Sequence, residues 1–150
     1  MELSILKSSE SEVQEQLSFL RETFPKNIVL AKGVCIEEAK IEAEREISRL
    51  LSDEYKDYFF TAFLGSTPIG YTWLRSQIDE RFITYLYVLP SHRNSGLGSR
   101  IMNWIDTFAT DSGFKRIGLV VFANNSTAVS LYERSGYSIG NIKMTKQILS

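Results

Sequence analysis

One cysteine, one histidine and three prolines are all that 150 residues contain of those types. A lone Cys35 excludes a disulfide within the chain and matches a reducing compartment. Flanked by Val34 and Ile36, it reads as a small core residue and not as a nucleophile. Charge of one sign is also missing: the formal net charge is −1, which excludes a general electrostatic pull towards nucleic acid or an anionic membrane. No apolar run approaches the ~20 residues that cross a bilayer. The start, Met1-Glu2-Leu3-Ser4, lacks the basic and apolar regions of a signal peptide. Neither a repeat nor a Pro/Gly-rich linker interrupts the chain. The expectation is a single domain over residues 1–150 in a cytoplasmic protein.

The elements present are helical first and strand-like later. A short apolar stretch at Leu3–Leu6 precedes Ser9 and Glu12, which have capping-box spacing. Val13, Leu17, Leu20 and Phe24 recur at helical intervals, and Pro25 is expected to end that helix. Ile36, Ala39, Ala43, Ile47 and Leu50 form a second stripe, with eight charged residues on the other faces. From Tyr58 onward, Tyr58–Leu64, Ile69–Arg75 and Phe82–Val88 predict an antiparallel meander, its first turn at Gly65–Pro68. The pattern then becomes β-α-β. Leu97, Ile101, Trp104, Ile105 and Phe108 mark a helix, and Arg116–Phe122 a strand buried on both faces. Ala128, Val129, Leu131 and Tyr132 mark another helix. Tyr137–Ile139 and Ile142–Ile148 are expected to close the chain as a hairpin around Gly140-Asn141. The order β-α-α-β-β-β-α-β-α-β-β predicts a mixed α/β fold with helices on both sides of the sheet.

The segment from Val88 to Arg100 carries the clearest chemistry. It joins a strand to a helix N-terminus, where unpaired N–H groups and the helix dipole hold phosphate oxygens. Gly96 and Gly98 let such a group approach the backbone, and Arg93 adds a fixed positive charge. A P-loop is excluded because no Gly-Lys-Ser/Thr follows the glycines. A Rossmann fingerprint is excluded by Ile101 at the third glycine position and by Val120 and Val121 where an acid belongs. What remains is Arg93-x-x-Gly96-x-Gly98 at a strand-to-helix turn.

A second motif follows the last buried strand: Asn125, then Ala128, Leu131-Tyr132 and Gly136-Tyr137. Together with Arg93–Gly98, this order resembles the paired cofactor motifs of the GNAT superfamily of N-acetyltransferases, well from about Tyr58 to Gln147 and weakly over the first fifty residues. The one departure is Asn94, where that family commonly has glycine; Asn tolerates positive φ better than most residues.

The resemblance implies a central mixed, mostly antiparallel sheet, splayed in its middle between Phe82–Val88 and Arg116–Phe122. It implies acetyl-CoA as co-substrate and no metal. The pantetheine arm would pair with free backbone groups near Leu86 and Val88, and the pyrophosphate would rest on Arg93, Asn94, Ser95, Gly96, Gly98 and Ser99. Asn125 would bond the arm or cap its own helix. Tyr132 matches the general-acid position. No residue matches a general base: Asp79, Glu80, Tyr85, Tyr87 and His92 are candidates beside a water chain. The acceptor, a small-molecule or peptide amine, would be walled by the Phe24–Gly33 connection and the Gly140-Asn141 hairpin. A homodimer is common in that family. The competing readings are a degenerate acyl-CoA sensor and a nucleotide-binding α/β module.

Overall fold

The computed structural model describes residues 2–52, 58–77 and 80–148. Ten elements follow one another: β1 (Leu3–Lys7), α1 (Glu10–Lys32), α2 (Ile36–Ser52), β2 (Tyr58–Leu64), β3 (Thr67–Gln77), β4 (Glu80–Val88), a 3₁₀ turn (Pro90–His92), α3 (Leu97–Asp111), β5 (Arg116–Leu119) and α4 (Ser126–Arg134). They divide into two compact units, residues 1–14 with 54–120 and residues 15–53 with 121–150.

The first unit is the sheet, ordered β1-β2-β3-β4-β5, antiparallel until β5 joins β4 in parallel. The expected turn at Gly65–Pro68 is present, with Gly65 at φ 60. The amphipathic α3 packs its rings on one sheet face: Phe60 meets Trp104 at 5.0 Å and Phe108 at 5.3 Å, centroid to centroid. Where β4 joins β5, the buried Arg81 lies within 5.3 Å of the ring centroids of Tyr58, Phe108 and Phe114. Its Nη1 donates to Ser76 Oγ at 2.5 Å. Aromatic faces supply the negative charge that a carboxylate supplies in most buried arginine sites.

Gly70 fixes the approach of β3 to β4. A Cβ there would stand 2.7 Å from the Tyr87 carbonyl oxygen, a backbone atom with nowhere to retreat. Gly70→Ala is expected to lower stability by about 1–3 kcal/mol, the usual cost of overpacking. A shifted urea midpoint with unchanged slope checks this.

In α1 the capping box forms as the spacing requires: the Ser9 N–H donates to Glu12 Oε1 at 2.7 Å, and the Glu12 N–H to Ser9 Oγ at 3.3 Å. Pro25 does not end the helix. It is buried within a helix that runs on to Lys32. Proline weakens a helix interior by removing one N–H. Here the turn beyond it carries Ile28, which packs with Ala39 and Ala43 of α2 and with Phe24, Val29, Val34 and Phe122. That burial outweighs the local penalty.

Four other expectations are corrected. Residues 24–32 are the end of α1 and not a connection, and residues 137–148 form no strand, so neither proposed acceptor wall exists in the expected form. Strand β5 stops at Leu119, none of its residues is buried, and Val120 is 81 % exposed. Cys35 is exposed because it stands in the turn before α2, where its carbonyl accepts the Ala39 N–H at 3.0 Å.

Candidate active site

After β4 the chain tightens into the Pro90–His92 turn, in which the Arg93 N–H reaches the Pro90 carbonyl at 3.4 Å. Asn94 then takes φ 60, the one non-glycine residue at positive φ among the described residues, which is the tolerance expected of asparagine there. Gly96 follows at φ 80 and occupies the N-cap of α3 with no side chain to offer. The first bond of the helix, from the Arg100 N–H to the Gly96 carbonyl, spans 3.2 Å. The N–H groups of Leu97, Gly98 and Ser99 therefore lie in a first turn with no acceptor one turn earlier. No acidic residue lies there. The positive end of the helix dipole is left for something from outside.

That end opens on a cavity of about 330 Å³ lined by Leu64, Ser91, His92, Arg93, Ser95, Leu97 and Arg100. Two guanidinium groups, hydroxyls and free helical N–H groups suit a phosphate or pyrophosphate. The residues present thus fit the diphosphate of a coenzyme A. Arg100 and Leu64 escaped the sequence reading. The signal for Arg100 was available: it sits one turn into α3 from Gly96.

The sheet is splayed where expected. The last β4–β5 pair is Ile83 with Leu119, and β4 continues five residues to Val88 alongside β3 only. The Leu89 N–H donates to the Ile69 carbonyl at 2.8 Å, and the Tyr85 carbonyl accepts from Thr72 Oγ1 at 2.9 Å. Alternation along a strand turns the backbone groups of Leu86 and Val88 away from β3, towards the side where β5 has ended. One of them is already engaged. Arg93 Nε donates to the Val88 carbonyl at 2.7 Å, so that carbonyl is not free as expected. The same guanidinium lies 5.0 Å from the Tyr87 ring centroid. Arg93 is thereby held against the strand by its own chain.

Of the base candidates, Asp79 lies outside the described residues. Glu80 stands at the paired end of β4, eight residues or ~26 Å from Val88 at strand rise. Its carboxylate packs against the Gly118 backbone, where a Cβ would overlap it. Tyr85 and Tyr87 share a face as predicted, their rings parallel at 6.1 Å. The Tyr85 hydroxyl is enclosed without a hydrogen-bond partner. Burial first, and then the neighbouring Tyr87, push its pKa well above the ordinary phenol range. It cannot serve as a base near neutral pH. His92 Nδ1 pairs with Ser91 Oγ at 2.9 Å on the cavity wall.

The second motif lies in the other unit. Asn125 caps α4, its Oδ1 accepting the Ala128 N–H at 3.2 Å, which is the capping alternative of the two roles weighed for it. Tyr132 is half-buried, edge-to-face with Tyr137 at 5.9 Å. Burial raises its pKa above the ordinary 10.0. Among the described residues, no three His, Cys, Asp or Glu side chains converge as metal ligands, and no helix is long and apolar enough to cross a membrane.

The profile of the Acetyltransferase (GNAT) family matches residues 18–137, the greater part of the chain. The chain belongs to the GNAT acetyltransferase family. This GNAT chain is similar to the uncharacterized N-acetyltransferase YdgE of Bacillus subtilis, with 36 % identity over 84 residues, 53 % of this chain and 54 % of the relative. It thus spans about half the length of that relative. The crystal structure of YycN from Bacillus subtilis, named as an acetyltransferase, has the same fold, with TM-score 0.90 and 21 % identity over 99 % of this chain and 100 % of that one. So has the PaiA N-acetyltransferase of Thermoplasma acidophilum, solved in complex with coenzyme A, with TM-score 0.68 and 23 % identity over 95 % and 94 %. The fold expected of a GNAT protein is therefore present.

Proposed function

We propose that this chain transfers the acetyl group of acetyl-CoA to a primary amine of a small-molecule or peptide acceptor, by direct attack in a ternary complex. The observation that carries this is the α3 N-terminus: capped by no side chain, entered through Asn94 and Gly96 at positive φ, and facing Arg93 and Arg100. Such an end holds a diphosphate without help from a metal. The family to which the chain belongs, and a neighbour of the same fold bearing coenzyme A, support the choice of ligand.

In this reading the whole chain is one catalytic domain, working in the cytoplasm. Backbone groups of Asn94, Ser95, Gly96, Gly98 and Ser99 take the diphosphate oxygens, and Arg93 adds charge. The outward groups of Leu86 and the Val88 N–H take the amide-bearing arm in the manner of an added strand. Asn125 orients the start of α4 and, through it, Tyr132. The amine nitrogen attacks the thioester carbonyl carbon, the C–S bond breaks, and the departing sulfur takes the Tyr132 proton. The proton lost by the amine leaves through water, the route that needs no side-chain base.

Thiol release from acetyl-CoA, measured against polyamines, aminoglycosides, lysine peptides and peptides with free N-termini, tests the reading. Release that depends on one amine class is expected. Tight coenzyme binding with no release from any amine would make this an acyl-CoA sensor instead.

A further inference from the structure

Arg93 stands between two features of the site, the phosphate loop and the free side of β4. Its side chain turns back along the strand, where Nε donates to the Val88 carbonyl at 2.7 Å. Its guanidinium lies 5.0 Å from the Tyr87 ring centroid, and that ring stacks in parallel on Tyr85 at 6.1 Å. The same side chain lines the cavity of about 330 Å³ at the α3 N-terminus, together with Arg100.

The atom that Arg93 covers has a particular place in the sheet. Val88 stands opposite Gly70, and the neighbouring ladder bond runs from the Leu89 N–H to the Ile69 carbonyl. Alternation therefore points both polar groups of Val88 away from β3. On that side the last partner of β4 is Leu119, opposite Ile83, so the pairing with β5 ends before Val88 is reached. An extended amide chain laid there could use the Val88 N–H and the Val88 carbonyl. Arg93 already holds the second of these.

Charge decides which partner Arg93 keeps. A bond to a phosphate oxygen joins opposite charges and is roughly twice as strong as a neutral one. A bidentate grip on phosphate that uses Nε takes this nitrogen off the carbonyl. Arg93 is exposed, so the exchange demands no burial or unburial of its charge.

We propose that Arg93 selects the thioester donor: it covers the Val88 carbonyl until a diphosphate draws its guanidinium away, and the strand then offers both Val88 groups to the arm. This rests on the acetyl-transfer reading above and adds a coupling between the two halves of one ligand. A thioester on a bare pantetheine arm meets a covered carbonyl and is a poor donor. Tyr87 is the positioning residue, because its ring holds the guanidinium against the strand.

Pantetheine is uncharged, so loss of the Arg93 charge cannot by itself weaken its binding. Titrations of the intact chain, followed by nuclear magnetic resonance, use it as the probe. Wild-type protein is expected to bind pantetheine about 3–10-fold more tightly once inorganic diphosphate is present, the effect of one hydrogen bond. Arg93→Ala is expected to show that gain without diphosphate and no further gain with it. Its affinity for coenzyme A should fall about 10-fold or more, so one substitution moves the two ligands in opposite directions. Tyr87→Leu, which keeps the charge, should raise pantetheine affinity part of the way. In wild-type protein the Arg93 Nε–H signal should shift when diphosphate is added. Pantetheine affinity in Arg93→Ala no higher than in wild type overturns the proposal, as does a diphosphate effect that survives the substitution. A wild-type chain that binds neither coenzyme A nor diphosphate overturns the acetyl-transfer reading and this inference with it. One that binds coenzyme A, yet whose pantetheine affinity ignores Arg93, overturns this inference alone.

Discussion

Gly98→Asp is expected to cost this protein about 100-fold or more in affinity for coenzyme A while leaving it folded. Gly98 lies in the first turn of α3 and is not among the residues at positive φ. A side chain is therefore accepted by the backbone there. Gly96 is a poorer probe: at φ 80 a β-branched residue is strained whatever the ligand does. Aspartate at a helix N-terminus favours the helix by about 0.3–1 kcal/mol. Placed where a diphosphate should rest, the same charge costs several kcal/mol by repulsion, and about 2.7 kcal/mol already means 100-fold. The two effects have opposite signs, so the melting temperature should hold or rise as binding collapses. Calorimetry with coenzyme A and a thermal melt read both. Undiminished affinity in the folded variant would reduce the loop to a structural turn.

Tyr132→Phe is expected to lower kcat by roughly ten-fold to a few thousand-fold, the upper part of that range being typical of general acids. The substitution removes one oxygen and keeps the ring that meets Tyr137 edge-on. Coenzyme affinity and melting temperature should barely move. Because burial holds the Tyr132 pKa above 10.0, the phenol keeps its proton through the working range. Loss of that proton should then produce no fall in kcat below about pH 10. A Phe variant with full kcat would leave the thiolate to depart unaided and return Tyr132 to a packing role.

The parts legible in the sequence are those that local chemistry decides. Two glycines and an asparagine before an apolar stripe can hardly be anything but a left-handed entry into a helix, and Asn94 and Gly96 have the φ that this requires. The meander and the parallel β4–β5 pair followed from periodicity in the same way. Pro25 misled because the rule against proline in a helix is local, whereas the Ile28 cluster that carries α1 past it comes from α2, a separate element. The Arg93 bond to the Val88 carbonyl was hidden for a related reason: spacing shows a charge near a loop but not the atom it faces. The C-terminal hairpin failed differently. Ile142, Met144 and Ile148 suggest one face of a strand, but Lys146 breaks that face and no strand forms over residues 137–148.

The aromatic enclosure of Arg81 makes ionic strength a selective variable for this molecule. Its guanidinium is surrounded by three rings and withdrawn from water, so counter-ions cannot reach it to screen the attraction. The cavity cations are of the other kind: Arg93 and Arg100 are exposed, and their pull on a phosphate fades once the screening length falls below ~10 Å. Rising salt is therefore expected to weaken any phosphate ligand's hold on the loop while leaving the β4–β5 junction as it was. A titration with potassium chloride would separate the chemistry of the site from the stability of the sheet beneath it.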